Sequence, residues 1–513
     1  MRNAKYKVRS EGKFLLKQKS LFCIKSFLTR ENPPTFRIPN LKNKYLIIQL
    51  ITERNIIMKY ELKNGWTKDI DKEIVFKFAE GYKDFLNAAK TEREAVAEAV
   101  RLAELCGFKP LDSFKELKEG DKVYSINKGK GLIIAVIGSE AVADGVNIVG
   151  AHVDAPRLDL KPNPLYEDGE MAYFKTHYYG GIKKYQWTAV PLALHGVVVK
   201  ADGEKVNIKI GDEGDDVTFV ITDLLPHLAQ EQMQKTPSTV VEAEQLNLLI
   251  GSMPLKGEEK DAVKANILSL LNEKYGICEE DFLSAELEIV PAANSKDIGF
   301  DRSLIGSYAH DDRVCAYPDL MAILTTEACS KTAICLLTDK EEVGSMGNTG
   351  AKSNFLKLIL LELMAKKGED ASQLNLLRCL DRSYCLSADV NAAFDPNFPS
   401  PFEKLNCAKV NYGVAIAKYT GSRGKGGSSD ASAELMGKIR KLFNDNGILW
   451  HVGELGKVEA GGGGTIAQYV ANLGVETVDC GVSVLSMHAP FEVVSKLDVY
   501  MTYKAFHTFF NEV

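Results

Sequence analysis

Short apolar runs that end in clusters of histidines and acids recur along this chain, and they constrain its fold more than any other feature. Runs such as Val146–Ala151 and Ala333–Leu337 have the length and composition of buried strands, and the helix-like run Val314–Ala328 lies between them. Alternating strands and helices build a mainly parallel sheet, whose functional side chains collect at the carboxyl ends of its strands. Polar clusters stand in or near that position at Gly150–Asp154, Ala309–Arg313, Thr338–Gly344, Ser387–Asp389 and Ser486–Pro490.

The residues between the first two clusters have a different character. Within 163–290, the stretches Trp187–Lys200 and Val206–Ile210 are strand-like and are joined by a plausible hairpin turn. Because the clusters on either side must meet in space, we interpret 163–290 as a β-rich insertion into a discontinuous domain made of 58–162 and 291–513. The predicted fold class is α/β, with a central, mainly parallel sheet flanked by helices.

The first 57 residues differ from the remainder in charge. They hold 13 Lys and Arg against 3 Asp and Glu, a charge of about +10, so the net charge of −6 leaves about −16 on the rest. A body so acidic is a poor binder of nucleic acid. The segment lacks the apolar core of a secretory signal, and a transit peptide remains an alternative. We favour translation from Met58 and exclude 1–57 from the fold.

Composition also predicts the compartment. No stretch of 18 uncharged apolar residues exists, so no membrane-spanning helix is expected. The ten cysteines are scattered without a CxxC pair, and several, such as Cys335, lie in strand-like runs. Buried, reduced thiols of this kind are typical of a cytoplasmic protein.

Together the polar clusters supply histidines and carboxylates, the mixed ligand set of a catalytic zinc site. Each cluster alone has a simpler interpretation. A histidine after a strand is more often packed or capping, Asp311-Asp312 can cap the next helix, and Glu341-Glu342 can form a solvated loop. Their joint occurrence near strand ends favours a metal site.

Several of these motifs carry a family resemblance. They are Gly150-Ala-His-Val-Asp-Ala-Pro156 with Lys161-Pro162, Asp339-Lys-Glu-Glu-Val-Gly-Ser345, Ser387-Ala-Asp389 with Asp395-Pro-Asn397, and Met487-His-Ala-Pro490. In combination they resemble the aspartyl aminopeptidase/aminopeptidase I family of zinc metallopeptidases, from about residue 60 to the C-terminus. The resemblance implies an enzyme that removes the N-terminal residue of peptides.

The resemblance also implies the roles of individual residues. Asp311 would bridge two zinc ions, with His152 and Asp389 completing the first site and Glu342 and His488 the second. Glu341 would be the general base, and Asp154 would accept the second ring N–H of His152. Mn²⁺ or Co²⁺ could replace zinc at such carboxylate-rich sites. The family usually has Asp-Asn where this chain has Asp311-Asp312, and either pair keeps the first acid as the bridge.

Four further residues are candidates for substrate contacts. Glu459 could bind the free N-terminus of a peptide, or it could equally be a loop residue without a functional role. Arg423 and Lys425 lie in a glycine-rich loop that lacks Walker spacing, and they could receive an acidic side chain. His177 could reach a neighbouring subunit's site, but a structural role is the simpler interpretation.

The resemblance further implies a homo-oligomer, a dodecamer, with 163–290 mediating assembly. One alternative function is a two-zinc amidohydrolase acting on N-acyl compounds or peptide C-termini, because the same ligands would serve it. Another is a non-catalytic, self-assembling protein with a vestigial site. The presence of Glu341 together with all the expected ligands argues against lost chemistry.

Overall fold

The structure is a computed structural model, and it describes residues 61–513. The predicted extension 1–57 lies outside the described residues. Residues Lys63–Val513 form one compact unit. Its helices are α1 Lys72–Ala88, α2 Glu92–Leu105, α3 Ala262–Tyr275, α4 His310–Thr325, α5 Phe355–Lys366, α6 Gln373–Asp381, α7 Ala433–Asp445, α8 Ala467–Ala471 and α9 Lys496–Glu512.

The first helical region contains a break that periodicity alone does not reveal. The apolar spacing predicts one helical run from Asp71 to Cys106, whereas the structure has α1 and α2. Thr91 begins α2 with a capping box, in which its hydroxyl accepts the Glu94 N–H and the Glu94 carboxylate accepts the Thr91 N–H. This cap lets the chain turn while both helices keep an apolar face towards the core.

A nine-stranded sheet forms the centre of the fold, in the order β1-β2-β3-β13-β4-β14-β18-β16-β17. Its four middle strands, β13, β4, β14 and β18, run parallel to one another. Their carboxyl ends therefore share one edge. The strands are β1 Lys109–Pro110, β2 Lys122–Asn127, β3 Gly131–Val136, β4 Val146–His152, β13 Thr332–Thr338, β14 Tyr384–Ser387, β16 Val414–Ala417, β17 Trp450–Val452 and β18 Glu476–Gly481.

Helices cover both faces of this sheet, which agrees with the predicted α/β class. One apolar core joins α1, α4 and α9 to the sheet, with Tyr82, Phe506 and Phe509 fully or almost fully buried. The other joins α5 and α6 to the opposite face, through residues such as Leu360 and Leu376. In β4, successive residues alternate between the two cores, as the pleat requires.

A separate six-stranded sheet is built from the chain between the first two polar clusters. It is antiparallel, in the order β8-β7-β10-β5-β6-β9, and it has its own core around Trp187. Its strands slightly overrun the predicted insertion 163–290, whose status as a domain remains a prediction. They are β5 Arg157–Asp168, β6 Met171–Tyr179, β7 Leu192–Val199, β8 Lys205–Ile210, β9 Leu248–Gly251 and β10 Ala285–Pro291.

A third, five-stranded sheet lies in the order β11-β12-β20-β19-β15. Strand β12 leads into α4, and β19 and β20 flank the loop that contains His488. Within the described part of the chain, no helix is both long and apolar enough to cross a membrane. The five strands are β11 Lys296–Ile298, β12 Leu304–Ser307, β15 Asn391–Ala392, β19 Ser483–Leu485 and β20 Glu492–Ser495.

Candidate metal centre

The five predicted ligands come from two of the three sheets. His152 ends β4, and Asp389 follows β14 by two residues, so both lie at the carboxyl edge of the nine-stranded sheet. Glu342 follows the adjacent strand β13, in a short 3₁₀ turn that also contains Glu341. Asp311 stands at the start of α4, after β12, and His488 lies in the β19–β20 loop of the five-stranded sheet.

Asp311 lies between the two predicted histidines. Its Oδ1 is 3.1 Å from His152 Nε2, and its Oδ2 is 3.2 Å from His488 Nε2. Glu342 Oε1 is 3.5 Å from His488 Nε2 and is buried without a hydrogen-bond partner. Potential ligand atoms lie within 4.8 Å of one another in three overlapping groups: His152, Glu341 and Asp389; His152, Asp311 and Glu342; Asp311, Asp312 and Asp389.

Hydrogen bonds orient both histidines. The Nδ1–H of His488 donates to the Gly181 carbonyl at 2.8 Å, which leaves Nε2 facing Asp311. His152 Nδ1 lies 3.0 Å from the main-chain carbonyl of Asp154 and 3.3 Å from its carboxylate. The sequence predicts the carboxylate as the acceptor, whereas the main-chain oxygen is the nearer atom.

The carboxylate of Asp154 also binds the segment that contains Glu341. Its Oδ1 accepts the Glu341 N–H at 3.1 Å, and its Oδ2 accepts the Glu342 N–H at 3.2 Å. The Tyr179 hydroxyl also donates to Oδ2, at 2.8 Å. Asp154 therefore joins three segments of chain at the edge of the site.

The electrostatics of the site favour a bound cation. Burial, reinforced by neighbouring acids, raises the pKa of Glu342 and of Asp389 well above the ordinary carboxyl value and that of Glu341 to about 7. The pKa of Asp311 is lowered, because hydrogen bonds from the two histidines outweigh its burial. A cluster with more buried carboxylates than histidines is stabilised by divalent cations, and its N/O donors suit zinc. The residues present therefore fit a zinc site.

A cavity of about 550 Å³ opens onto these residues, and its wall includes two of the four predicted substrate contacts. Arg423 and Lys425 line it, and the Lys425 ammonium is 3.0 Å from an Asp430 oxygen and 3.8 Å above the Tyr419 ring. Glu459 and His177 are exposed and are not among the described lining residues. The structure thus does not bring these two to the site within this chain.

Sequence reasoning missed Asp479, a buried acid in the cavity wall at the end of the central strands. Its carboxylate accepts hydroxyl hydrogen bonds from Ser387, Ser429 and Thr465. These contacts join the strand that precedes Asp389 to the two glycine-rich segments of the wall. The sequence signal that could have revealed Asp479 is an acidic residue inside the apolar run that forms β18.

Comparisons with known proteins give a family match over most of the chain. The family model described as aminopeptidase I zinc metalloprotease (M18) matches residues 85–510. A relative from Clostridium acetobutylicum, named a probable M18 family aminopeptidase 1, is 50% identical over 458 residues, covering 88% of this chain and 98% of the relative.

Solved structures show the same fold. The structure of an M18 family aminopeptidase from Thermotoga maritima matches with a TM-score of 0.86 and 45% identity, covering 89% of this chain and 100% of that one. The structure of the mApe1 dodecamer of S. cerevisiae matches with a TM-score of 0.68 and 21% identity, covering 84% of this chain and 96% of that one.

Proposed function

The chain belongs to the M18 family of aminopeptidase I zinc metalloproteases, and from this premise we propose that it hydrolyses the N-terminal bond of peptides at a two-zinc centre. It is a zinc metallopeptidase, as the family match over most of its length requires. The finer proposal concerns the number of ions, the ligand set and the general base. One observation carries it: the two oxygens of Asp311 face two different histidines.

In this proposal Asp311 would be shared by both ions, His152 and Asp389 would hold one, and Glu342 and His488 would hold the other. Two divalent cations require a shared anion and further carboxylates, because they repel strongly at close range. When bound, zinc would lower the pKa of a water molecule towards neutrality and polarise the peptide carbonyl. The orphaned oxygen of Glu342 supports this assignment, because a buried acceptor needs a partner.

The protein's own proton acceptor is Glu341. It shares a group of potential ligand atoms with His152 and Asp389, so its carboxylate lies beside the proposed first ion. It would take a proton from the attacking water and return it to the leaving amine. Asp154 holds the backbone of Glu341, which limits the positions that this carboxylate can take.

The direct test replaces the base without removing a ligand. Glu341→Gln should retain two zinc ions and the wild-type Tm, and its kcat on an unblocked peptide should fall at least about 100-fold. Glu362→Gln, on the exposed side of α5, is the matched control. A Glu341→Gln enzyme with unchanged kcat would remove Glu341 from this role.

A second measurement separates the aminopeptidase from a related hydrolase. N-acetylation of the same peptide should abolish turnover, because an aminopeptidase requires a free N-terminus. Turnover of the acetylated peptide would favour the amidohydrolase alternative. Wild-type protein with no bound zinc and no turnover would favour a vestigial site.

We extend the proposal to assembly and location. Large apolar side chains are exposed in the segment 217–255, including Leu224, Leu225, Leu228 and Met233, as expected at an interface between subunits. Together with the dodecameric mApe1 structure, they support a homo-oligomer, which light scattering on the purified protein would measure. The described cysteines are all free and most are buried, which supports a cytoplasmic location.

A further inference from the structure

One buried carboxylate connects the two ligand-bearing segments of the five-stranded sheet. Glu492 begins β20 and is 1% exposed. Its Oε2 accepts the backbone N–H of Asp311 at 3.0 Å, and its Oε1 accepts the backbone N–H of His488 at 2.6 Å. A single side chain thus holds the main chains of two residues that lie 177 positions apart in the sequence.

The sheet register brings Glu492 between these segments. Glu492 pairs with Ser307, the last residue of β12, just before the chain reaches Asp311. Leu485 pairs with Val493, which closes the loop that contains His488. Any movement of β20 relative to β12 would therefore change the separation between Asp311 and His488.

His488 needs such support because its backbone is unfavourable. Its φ of +65° lies in the left-handed region, which is unfavourable for a residue other than glycine. The hydrogen bond from its N–H to the Glu492 carboxyl oxygen offsets part of this cost. The other side of the residue is fixed by the bond from its ring to Gly181.

We propose that Glu492 is a positioning residue for the metal centre, which sets the distance between the bridging acid Asp311 and the second-ion ligand His488. This inference rests on the proposed two-zinc function. Glu492 does not bind an ion in this scheme; it acts through the two backbones that it holds. Only a carboxylate presents an acceptor at both ends, because the amide of glutamine turns a donor towards one of the two N–H groups.

The chain supplies a matched control. Asp498 in α9 is also fully buried, and its carboxylate also accepts two backbone N–H groups, from Asn411 at 2.7 Å and Gly413 at 2.6 Å. Those two amides lie in another loop, and that loop contains no proposed metal ligand. Asp498→Asn therefore reproduces the loss of a buried double acceptor without touching the metal centre.

The experiment compares wild type, Glu492→Gln and Asp498→Asn. Zinc affinity is measured on metal-free protein by competition with a chromogenic chelator, and kcat and KM are measured at saturating zinc. We expect Glu492→Gln to bind one of two zinc ions at least about tenfold more weakly, and its kcat to fall with little change in KM. Asp498→Asn should lower Tm but keep both affinities and kcat.

Two results would overturn the inference. One is a Glu492→Gln protein with wild-type zinc affinity and kcat, and the other is an Asp498→Asn protein with the same zinc loss, since that would indicate general destabilisation. If Glu492→Gln does not fold, Glu492→Asp replaces it. This carboxylate is one methylene shorter and should not span both amides, so wild-type zinc binding would again contradict the inference. Wild-type protein that binds a single zinc would instead refute the proposed function.

Discussion

At the scale of single residues, the site depends on carboxylates that bind main chain rather than metal. Asp154 accepts the N–H groups of Glu341 and Glu342 and the hydroxyl of Tyr179. The Tyr179 ring is itself covered by the Arg157 guanidinium, 3.9 Å from the ring centroid. A charged acceptor with several donors resists movement, because moving it would leave buried groups unpaired. We therefore expect such residues to affect rate more than substrate binding.

Tyr179→Phe tests this expectation by removing one hydroxyl while retaining the stacked ring. The Asp154 carboxylate loses a donor, so kcat should fall about tenfold with KM nearly unchanged. Tyr178→Phe is the control, because the neighbouring tyrosine is 41% exposed and has no hydrogen bond to Asp154 among the described contacts. Equal kcat values for the two variants would contradict the proposed link.

Asp430 gives a second prediction, for substrate charge. Its carboxylate pairs with Lys425 at 3.0 Å and with Lys418 at 2.7 Å, so it balances the cations near the cavity. Asp430→Asn should raise kcat/KM for Glu-starting peptides relative to Leu-starting peptides by about threefold, the size expected for exposed ion pairs. The control is Asp445→Asn, which removes the partner of Lys441 on α7. An unchanged ratio would show that these lysines do not contact the substrate side chain.

At the scale of elements, a charged cluster joins α2 to the six-stranded sheet. His195 on β7 lies between Glu94 of α2, at 2.9 Å, and Asp212, at 3.1 Å, so each ring nitrogen faces a carboxylate. Lys90 also contacts Asp212, at 2.7 Å, and Lys209 does so at 3.3 Å. Burial alone would lower the pKa of His195, but hydrogen bonds to Asp212 and Glu94 outweigh it and raise the pKa.

This arrangement predicts a pH dependence of stability. A histidine whose pKa is raised by folding stabilises the protein fully below its unfolded value of about 6.5, and that contribution is lost as pH rises through the folded pKa. The Tm of the wild type should therefore exceed that of His195→Gln most at about pH 6, and the difference should shrink at alkaline pH. Thermal melts of both proteins across this range would measure it. A Tm difference that grows as the pH rises would contradict the prediction that folding favours protonated His195.

The sequence could predict the strands whose ends form the site, because each is a short apolar run followed by polar residues. It could also predict the proximity of His152, Asp311 and His488 through the family motifs. It could not reveal Glu492 or Tyr179, because their partners lie on other elements and depend on register. The break between α1 and α2 was missed because the apolar period continues through it.

At the scale of the whole molecule, the proposed metal centre lies where the nine-stranded and five-stranded sheets meet. Oxygens of the buried Asp311 and Asp389 carboxylates lie within 4.8 Å of one another there, and their mutual repulsion opposes folding unless cations or protons neutralise them. A ligand that binds the native state but not the unfolded state stabilises the native state by mass action.

Chelation should therefore lower the stability of the entire fold as well as abolish activity. We expect Tm to fall by several degrees in excess EDTA and to recover when zinc is added back. Differential scanning fluorimetry at fixed pH and protein concentration would measure this, with Asp389→Asn as a variant of reduced response. Identical Tm values with and without chelator would show that the ions do not contribute to the stability of the fold.

The division of the ligands between two sheets has a consequence for how the enzyme fails under stress. Asp311 and His488 lie in segments attached to the five-stranded sheet, and His152 and Asp389 lie at the ends of strands of the nine-stranded sheet. A shift of less than an ångström between the two sheets would separate the two sets of ligands, while each sheet kept its own backbone hydrogen bonds. In mild urea, catalysis should therefore disappear before circular dichroism reports any loss of strand or helix.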